Sequence, residues 1–181
     1  MSTFVTQGFC IMLENLITSK TRLRLLVKFF INVANEGYLR GLATEMQEST
    51  NAIRKELNNL SEAGYLIRQD SENKITYKAN QKHPFFNLLQ QVVHKYIGLD
   101  TLVELVLDRM GDVRRVYIIG DYAQGIDSGV IEVVLEGEHL NETYIANLSE
   151  KIELEINKKV RFFVVTQNQQ NGLLIYERDK E

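Results

Sequence analysis

One stretch constrains the fold more than any other: Ser49-Thr-Asn-Ala-Ile-Arg-Lys-Glu-Leu-Asn-Asn-Leu-Ser-Glu-Ala-Gly64, followed by Tyr65-Leu-Ile-Arg68. Ser49 predicts an N-cap, because its hydroxyl can accept an amide hydrogen otherwise left unpaired in the first turn. Ile53, Leu57 and Leu60 recur at i, i+4 and i+7, which makes a narrow apolar stripe on a helix. Thr50, Asn51, Arg54, Lys55 and Asn58 fall on the opposite, polar and basic face. Gly64 supplies the left-handed residue at which a helix commonly stops.

The surrounding residues extend the pattern. Leu23, Leu26, Val27 and Phe30 predict a helix over 20–33 with Arg22, Arg24 and Lys28 turned outward. Leu39, Leu42, Ala43 and Met46 predict a second, short helix from Tyr38 to Met46. After Gly64, Leu66–Gln69 and Ile75–Lys78 read as two strands joined by a tight connection over Asp70–Lys74. Arg68 and Lys74 then lie near the hairpin tip. A basic-faced helix running into a hairpin is what a winged helix-turn-helix presents to duplex DNA. Helix residues near the N-terminal half reach base edges, and wing residues reach phosphates. Thr50, Asn51 and Arg54 are the base-edge candidates, while Lys55, Asn58, Arg68 and Lys74 are expected to position the backbone, with Ser49 at the helix start.

Charge divides the chain in the same sense. The net charge is -3, yet residues 1–80 hold 10 Lys/Arg against 8 Asp/Glu and residues 81–181 hold 11 against 16. Within 20–58 there are 7 basic and 4 acidic residues. A basic module joined to an acidic one suits a polyanion-binding domain with a differently employed partner. A 44% hydrophobic content provides for real cores. No apolar run approaches the roughly 18 residues that span a bilayer, and the start, Met1-Ser-Thr-Phe-Val-Thr-Gln7, has no basic segment of the kind that opens a signal peptide. Cys10 is the only cysteine, so no internal disulfide is expected, and a reducing, cytoplasmic location follows. His83, His94 and His139 are scattered and supply no metal-ligand set.

Pro84 suits the first position of a new helix, and Phe85, Leu88, Leu89, Val92 and Tyr96 form its expected apolar face up to Gly98. That face, with Phe4, Val5, Phe9, Ile11, Met12 and Leu13, is a candidate homodimer contact. Beyond it the pattern predicts a helix over Asp100–Met110, strands at Val113–Ile119 and Val130–Leu135 flanking a loop at Gly120–Gly129, a helix over Asn141–Asn157, a strand at Val160–Thr166 and a weak strand at Leu173–Tyr176.

Ser19-Lys-Thr-Arg-Leu-Arg-Leu-Leu26, Tyr38-Leu-Arg-Gly-Leu-Ala43, Ile53-Arg-Lys-Glu-Leu-Asn-Asn-Leu-Ser-Glu-Ala-Gly64 and Asn80-Gln-Lys-His-Pro-Phe-Phe86 together resemble a prokaryotic family in which an ArsR-like winged helix is fused to a minimal nucleotidyltransferase domain. The resemblance covers most of residues 19–135. It implies that the second domain carries Gly-Ser, a glycine-containing loop, and then Asp-x-Asp on the next strand to hold Mg²⁺ against a nucleoside triphosphate. The matching stretch is Ile119-Gly-Asp-Tyr-Ala-Gln-Gly-Ile-Asp-Ser-Gly-Val-Ile-Glu-Val-Val-Leu135. Gly120, Ala123 and Gly125 keep the family's frame. Asp121 replaces its serine, Val130 takes the first aspartate position, Glu132 takes the second, and Val160–Thr166 holds no third acid. Asp121 and Asp127 are expected to cap or solvate the loop. The winged helix departs too: Gln47 stands where relatives favour glycine, and Gly41 where they carry a helix former.

The chain is therefore expected to be α+β, with a winged helix-turn-helix over 1–82, a linker and dimerisation helix over 83–99, and a small nucleotidyltransferase-like α/β domain with a mixed sheet over 100–181. The expected function is transcriptional regulation through duplex DNA by a homodimer. The second domain is expected to be catalytically inactive, metal-free and without a resident cofactor. Its loop residues Gly120, Asp121, Gly125 and Glu132 remain a candidate site for a nucleotide or other small-molecule effector, and no membrane partner is expected. Two rivals stand beside this reading: a residual nucleotidyltransferase relying on Glu132, and a protein–protein adaptor whose winged helix touches no nucleic acid.

Overall fold

The computed structural model describes residues 13–71, 74–156 and 158–178. Phe4, Val5, Phe9, Ile11 and Met12 of the expected dimer contact therefore lie outside the described residues, while Leu13 is described and buried. The chain forms two compact units. One is built from Glu14–Val93 with Gln124–Ile126, and the other, within the described residues, from Leu13, His94–Ala123 and the chain from Asp127 onward. The architecture is α+β, with a helical N-terminal region and a mixed sheet in the C-terminal one. Among the described residues no helix is long and apolar enough to cross a membrane.

In the first unit, α1 (Lys20–Phe30) begins where the Ser19 hydroxyl accepts the Arg22 N–H at 3.2 Å. A two-residue strand β1 (Glu36–Gly37), α2 (Leu39–Met46), α3 (Thr50–Glu62), β2 (Leu66–Ser71) and β3 (Lys74–Ala79) follow. The strands make an antiparallel sheet ordered β1-β3-β2. The hairpin is longer than its sequence suggests. Asp70 pairs with Ile75 and Ser71 with Lys74, so the expected five-residue connection closes to Glu72–Asn73, which lies outside the described residues. β1 is too short to leave a periodic signal; it pairs Glu36 with Lys78 and Gly37 with Tyr77.

Leu25, Phe29, Phe30, Ile31 and Ile53 are fully buried. α1 is thus enclosed on more sides than one stripe implies, and Lys28, expected to face outward, is itself buried. Gln47 ends α2 with φ 53, in the left-handed region that normally favours glycine. Gly64 stands just beyond α3 with φ 78, as a helix stop requires.

α4 (Phe86–Ile97) corrects two expectations. It starts two residues after Pro84, which sits in the preceding turn rather than in the first helical position. Its buried face carries Phe86, Val93 and Ile97, whereas Phe85 and Leu88 of the expected face are more than half exposed.

In the second unit, α5 (Leu99–Arg109) leads into β4 (Asp112–Ile119), α6 (Gly120–Ala123), β5 (Val130–Glu138), α7 (Glu142–Ile156), β6 (Lys159–Val165) and β7 (Leu173–Glu177). The segment Gly120–Gly129, expected to be all loop, opens with the helical turn α6. The sheet order is β6-β5-β4-β7. β4 runs antiparallel to both β5 and β7, and β5 and β6 are parallel, as the helical crossover α7 allows. Ile131, Val133 and Leu135 alternate along β5 and are fully buried, together with Leu102 and Val106 of α5 and Ile152 of α7. The opposite face is crossed by residues 166–172 on their way from one sheet edge to the other. Asn168 donates its N–H to Glu136 at 3.0 Å, and Gly172 lies against the Ile118 carbonyl and the Ile119 side chain. The strap, with Arg115 at 2.9 Å, covers Glu136 on the face away from the helices, where it is buried.

Candidate nucleic-acid interface

In the first unit α3 displays the side chains singled out by its sequence. Ser49 caps it, accepting the Ala52 N–H at 3.1 Å, and Ser49, Thr50, Asn51, Arg54, Lys55 and Asn58 are all exposed. Arg54 donates to the Asn51 amide oxygen at 3.3 Å, which links two of the three base-edge candidates. Ile53, Leu57 and Leu60 are buried on the other side.

That inner side also carries a charge. Glu56 is buried and accepts from Ser19 at 2.7 Å and Arg22 at 2.8 Å. Burial pushes its carboxyl up, but the Ser19 hydroxyl and the Arg22 guanidinium outweigh that effect and hold it below the usual carboxylate range. Two similar pairs brace α1: Arg24 reaches Glu48 at 3.5 Å and the Met46 carbonyl at 2.7 Å, and Lys28 reaches Glu45 at 3.0 Å. Three of the seven cations counted between 20 and 58 are therefore tied to acids inside the unit. Lys20, Arg40, Arg54 and Lys55 keep exposed side chains. The basic surface is smaller than the sequence tally and centred closer to α3.

On the hairpin, Arg68 is exposed and paired with Asp70 at 3.1 Å. Lys74 lies 3.4 Å from the centroid of the Tyr38 ring, a cation–π contact that ties the hairpin to the start of α2. No local pattern announces this contact, since Tyr38 and Lys74 belong to separate elements. Gly41 completes it: a Cβ there would stand 2.7 Å from the Tyr38 ring.

The loop candidates divide between the units. Gly120, Asp121 and Glu132 belong to the second and Gly125 to the first. Gly120 has φ 64 and packs directly against the Glu132 carboxylate, which leaves no room for a side chain. Glu132 is also 4.0 Å from Arg161, and Asp121 is exposed. Asp127 has a structural partnership: it accepts from the Tyr122 hydroxyl and from Lys158 Nζ, the latter at 3.1 and 3.3 Å. The fully buried Tyr122 in turn accepts the Gly129 N–H at 3.3 Å. Burial, with the Asp127 carboxylate beside it, raises the phenol well above its usual range and keeps it protonated. Tyr122 and Lys158 were not legible as loop clamps, because Lys158 lies 31 residues from Asp127.

Among the described residues no group of three or more His, Cys, Asp or Glu side chains is arranged to hold a metal ion. Compared with known proteins, the chain matches no family profile, no curated protein sequence and no solved structure.

Proposed function

We propose that the chain is a DNA-binding transcriptional regulator that reads duplex DNA through α3 and contacts phosphates through the β2–β3 hairpin. The observation that carries this reading is the outer face of α3. Its polar and basic side chains point to solvent, while Arg22, Arg24 and Lys28 of α1 are paired with acids of the same unit. The order helix, strand, helix, helix, hairpin is that of a winged helix-turn-helix and supports the same conclusion. On this reading the second unit resembles a nucleotidyltransferase whose metal-binding acids are lost, and it serves oligomerisation or senses a ligand. A homodimer would roughly double the phosphate contacts on a two-fold operator.

The test is fluorescence anisotropy on duplex DNA from the chain's own upstream region and on a scrambled duplex, over a salt series. The wild type is expected to bind the upstream DNA preferentially and with strong salt dependence. Arg54→Ala/Lys55→Ala should weaken binding at least about tenfold and lower the salt slope by about one unit for each phosphate contact removed. Absence of binding at low salt would remove the proposal. Melting shifts with added nucleotides, read in parallel, test the ligand-sensing role separately.

A further inference from the structure

We propose that the outer edge of β6 holds a second copy of this chain, with the two β6 strands antiparallel about a two-fold axis at Phe163. β6 is an edge strand, with a strand neighbour on one side only among the described residues. The Lys159 N–H bonds the Gly129 carbonyl at 2.9 Å. In a parallel ladder this fixes the phase: residues 159, 161, 163 and 165 turn their amides and carbonyls to β5, and residues 160, 162 and 164 turn theirs outward. The outward Val160 N–H is already taken by the Glu153 carboxylate at 2.9 Å. The N–H and C=O groups of Phe162 and Val164 are left facing out, an unpaired edge that attracts another strand.

An antiparallel mate centred on Phe163 uses these four groups and leaves the Glu153 cap untouched. Phe162 pairs with Val164 of the second copy, and Val164 with its Phe162, through two hydrogen bonds each. The two Phe163 side chains, 43% exposed in the single chain, meet as a close non-hydrogen-bonded pair. Val164, 39% exposed on the other face, is covered by the same partner.

The two ends of the strand carry apolar and charged groups that such a pair brings together. Leu154 of α7, 74% exposed, lines a recess at the start of β6 with Lys158, Lys159, Glu150 and Glu153. Lys158 is paired with Asp127 and Glu153 caps the Val160 N–H, so Lys159 and Glu150 are the charges left facing out. At the far end a hollow of about 480 Å³ is lined by Leu140, Val164 and Thr166 together with Glu138 and Glu142. Antiparallel pairing brings each copy's Leu154–Lys159 end onto the other's hollow, leucine to apolar wall and Lys159 to Glu142 (Glu138 being paired with Arg114 at 3.3 Å), twice by symmetry. A parallel pairing would set lysine against lysine.

Sedimentation velocity of the full chain over a wide concentration range tests this, and it does not depend on DNA binding. The wild type is expected to dimerise. Leu154→Asp, Lys159→Glu and Glu142→Lys, all at exposed positions, should each raise the dimer dissociation constant at least about tenfold with the circular dichroism spectrum unchanged. Lys159→Glu/Glu142→Lys should restore the dimer. A monomeric wild type overturns the proposal, as does a dimer indifferent to Leu154→Asp or a failure of the double variant to rescue. A dimer lost instead in Phe85→Glu/Leu88→Glu would assign the second copy to α4 and overturn it too.

Discussion

Gly41 shows how one residue can carry a cost that a local rule misreads. In a helix interior glycine is about 1 kcal/mol worse than alanine, so Gly41→Ala would ordinarily stabilise. Here the Tyr38 ring occupies that space and holds Lys74 on its face. Gly41→Ala is therefore expected to lower the melting temperature by circular dichroism, and a rise would show that the ring swings aside freely. Glu56 gives a pH signature. Its folded carboxyl lies below the usual value of 4.5, so the unfolded chain binds the proton more readily. Its stabilisation is complete above that value and is lost as pH falls through the folded one. Glu56→Gln should cost about 1–3 kcal/mol at neutral pH and flatten the acid limb of stability measured by urea unfolding. Ser49 was legible as a cap because its partner is three residues away. Glu56 and Lys28 were not, since Arg22 lies 34 residues from the first and Glu45 lies 17 from the second. Their chemistry exists only once the helices have packed.

At the scale of elements, α3 separates the side that holds the fold from the side that faces out. Ser49→Ala should cost about 1 kcal/mol through the lost cap, while Lys55→Ala should alter stability by no more than about 0.5 kcal/mol. Chemical denaturation of the two variants checks the contrast. α4 shows why phase is harder to read than existence. Its sequence carries two apolar series one residue apart, Phe85–Leu88–Val92–Tyr96 and Phe86–Val93–Ile97, each with helical spacing and about 100° from the other. Periodicity establishes the helix, but packing chooses the face, and it buries the second series. Ile97→Ala should accordingly cost about 2–5 kcal/mol, whereas Leu88→Ala should cost little. The hairpin, β5 and α7 were legible as elements from local pattern, although the hairpin and β5 run longer than expected, β5 to Glu138 rather than Leu135. β1 and the strap over 166–172 were not, because two paired residues or an irregular crossing leave no period.

At the scale of the whole molecule, the two units differ in how far apart in sequence their partners lie. β2 and β3 pair within a single hairpin. β7 pairs with β4, and Arg115 reaches Glu177 across 62 residues, after the strap has crossed the sheet. The consequence concerns time. Local pairings form quickly, whereas a strand that must find its neighbour across a long loop forms late. Stopped-flow refolding, followed by tyrosine fluorescence and by pulse-labelled amide exchange, is expected to resolve two phases. Amides of the β2–β3 hairpin should be protected in the fast phase and those of β4 and β7 in the slow one. Deleting residues 167–177 should abolish the slow phase and leave the fast one, so a single shared phase would contradict this order. Until the strap closes, Glu136 and the open edge of β4 stand exposed to solvent, and the sheet passes through a sticky adolescence that the first unit is spared.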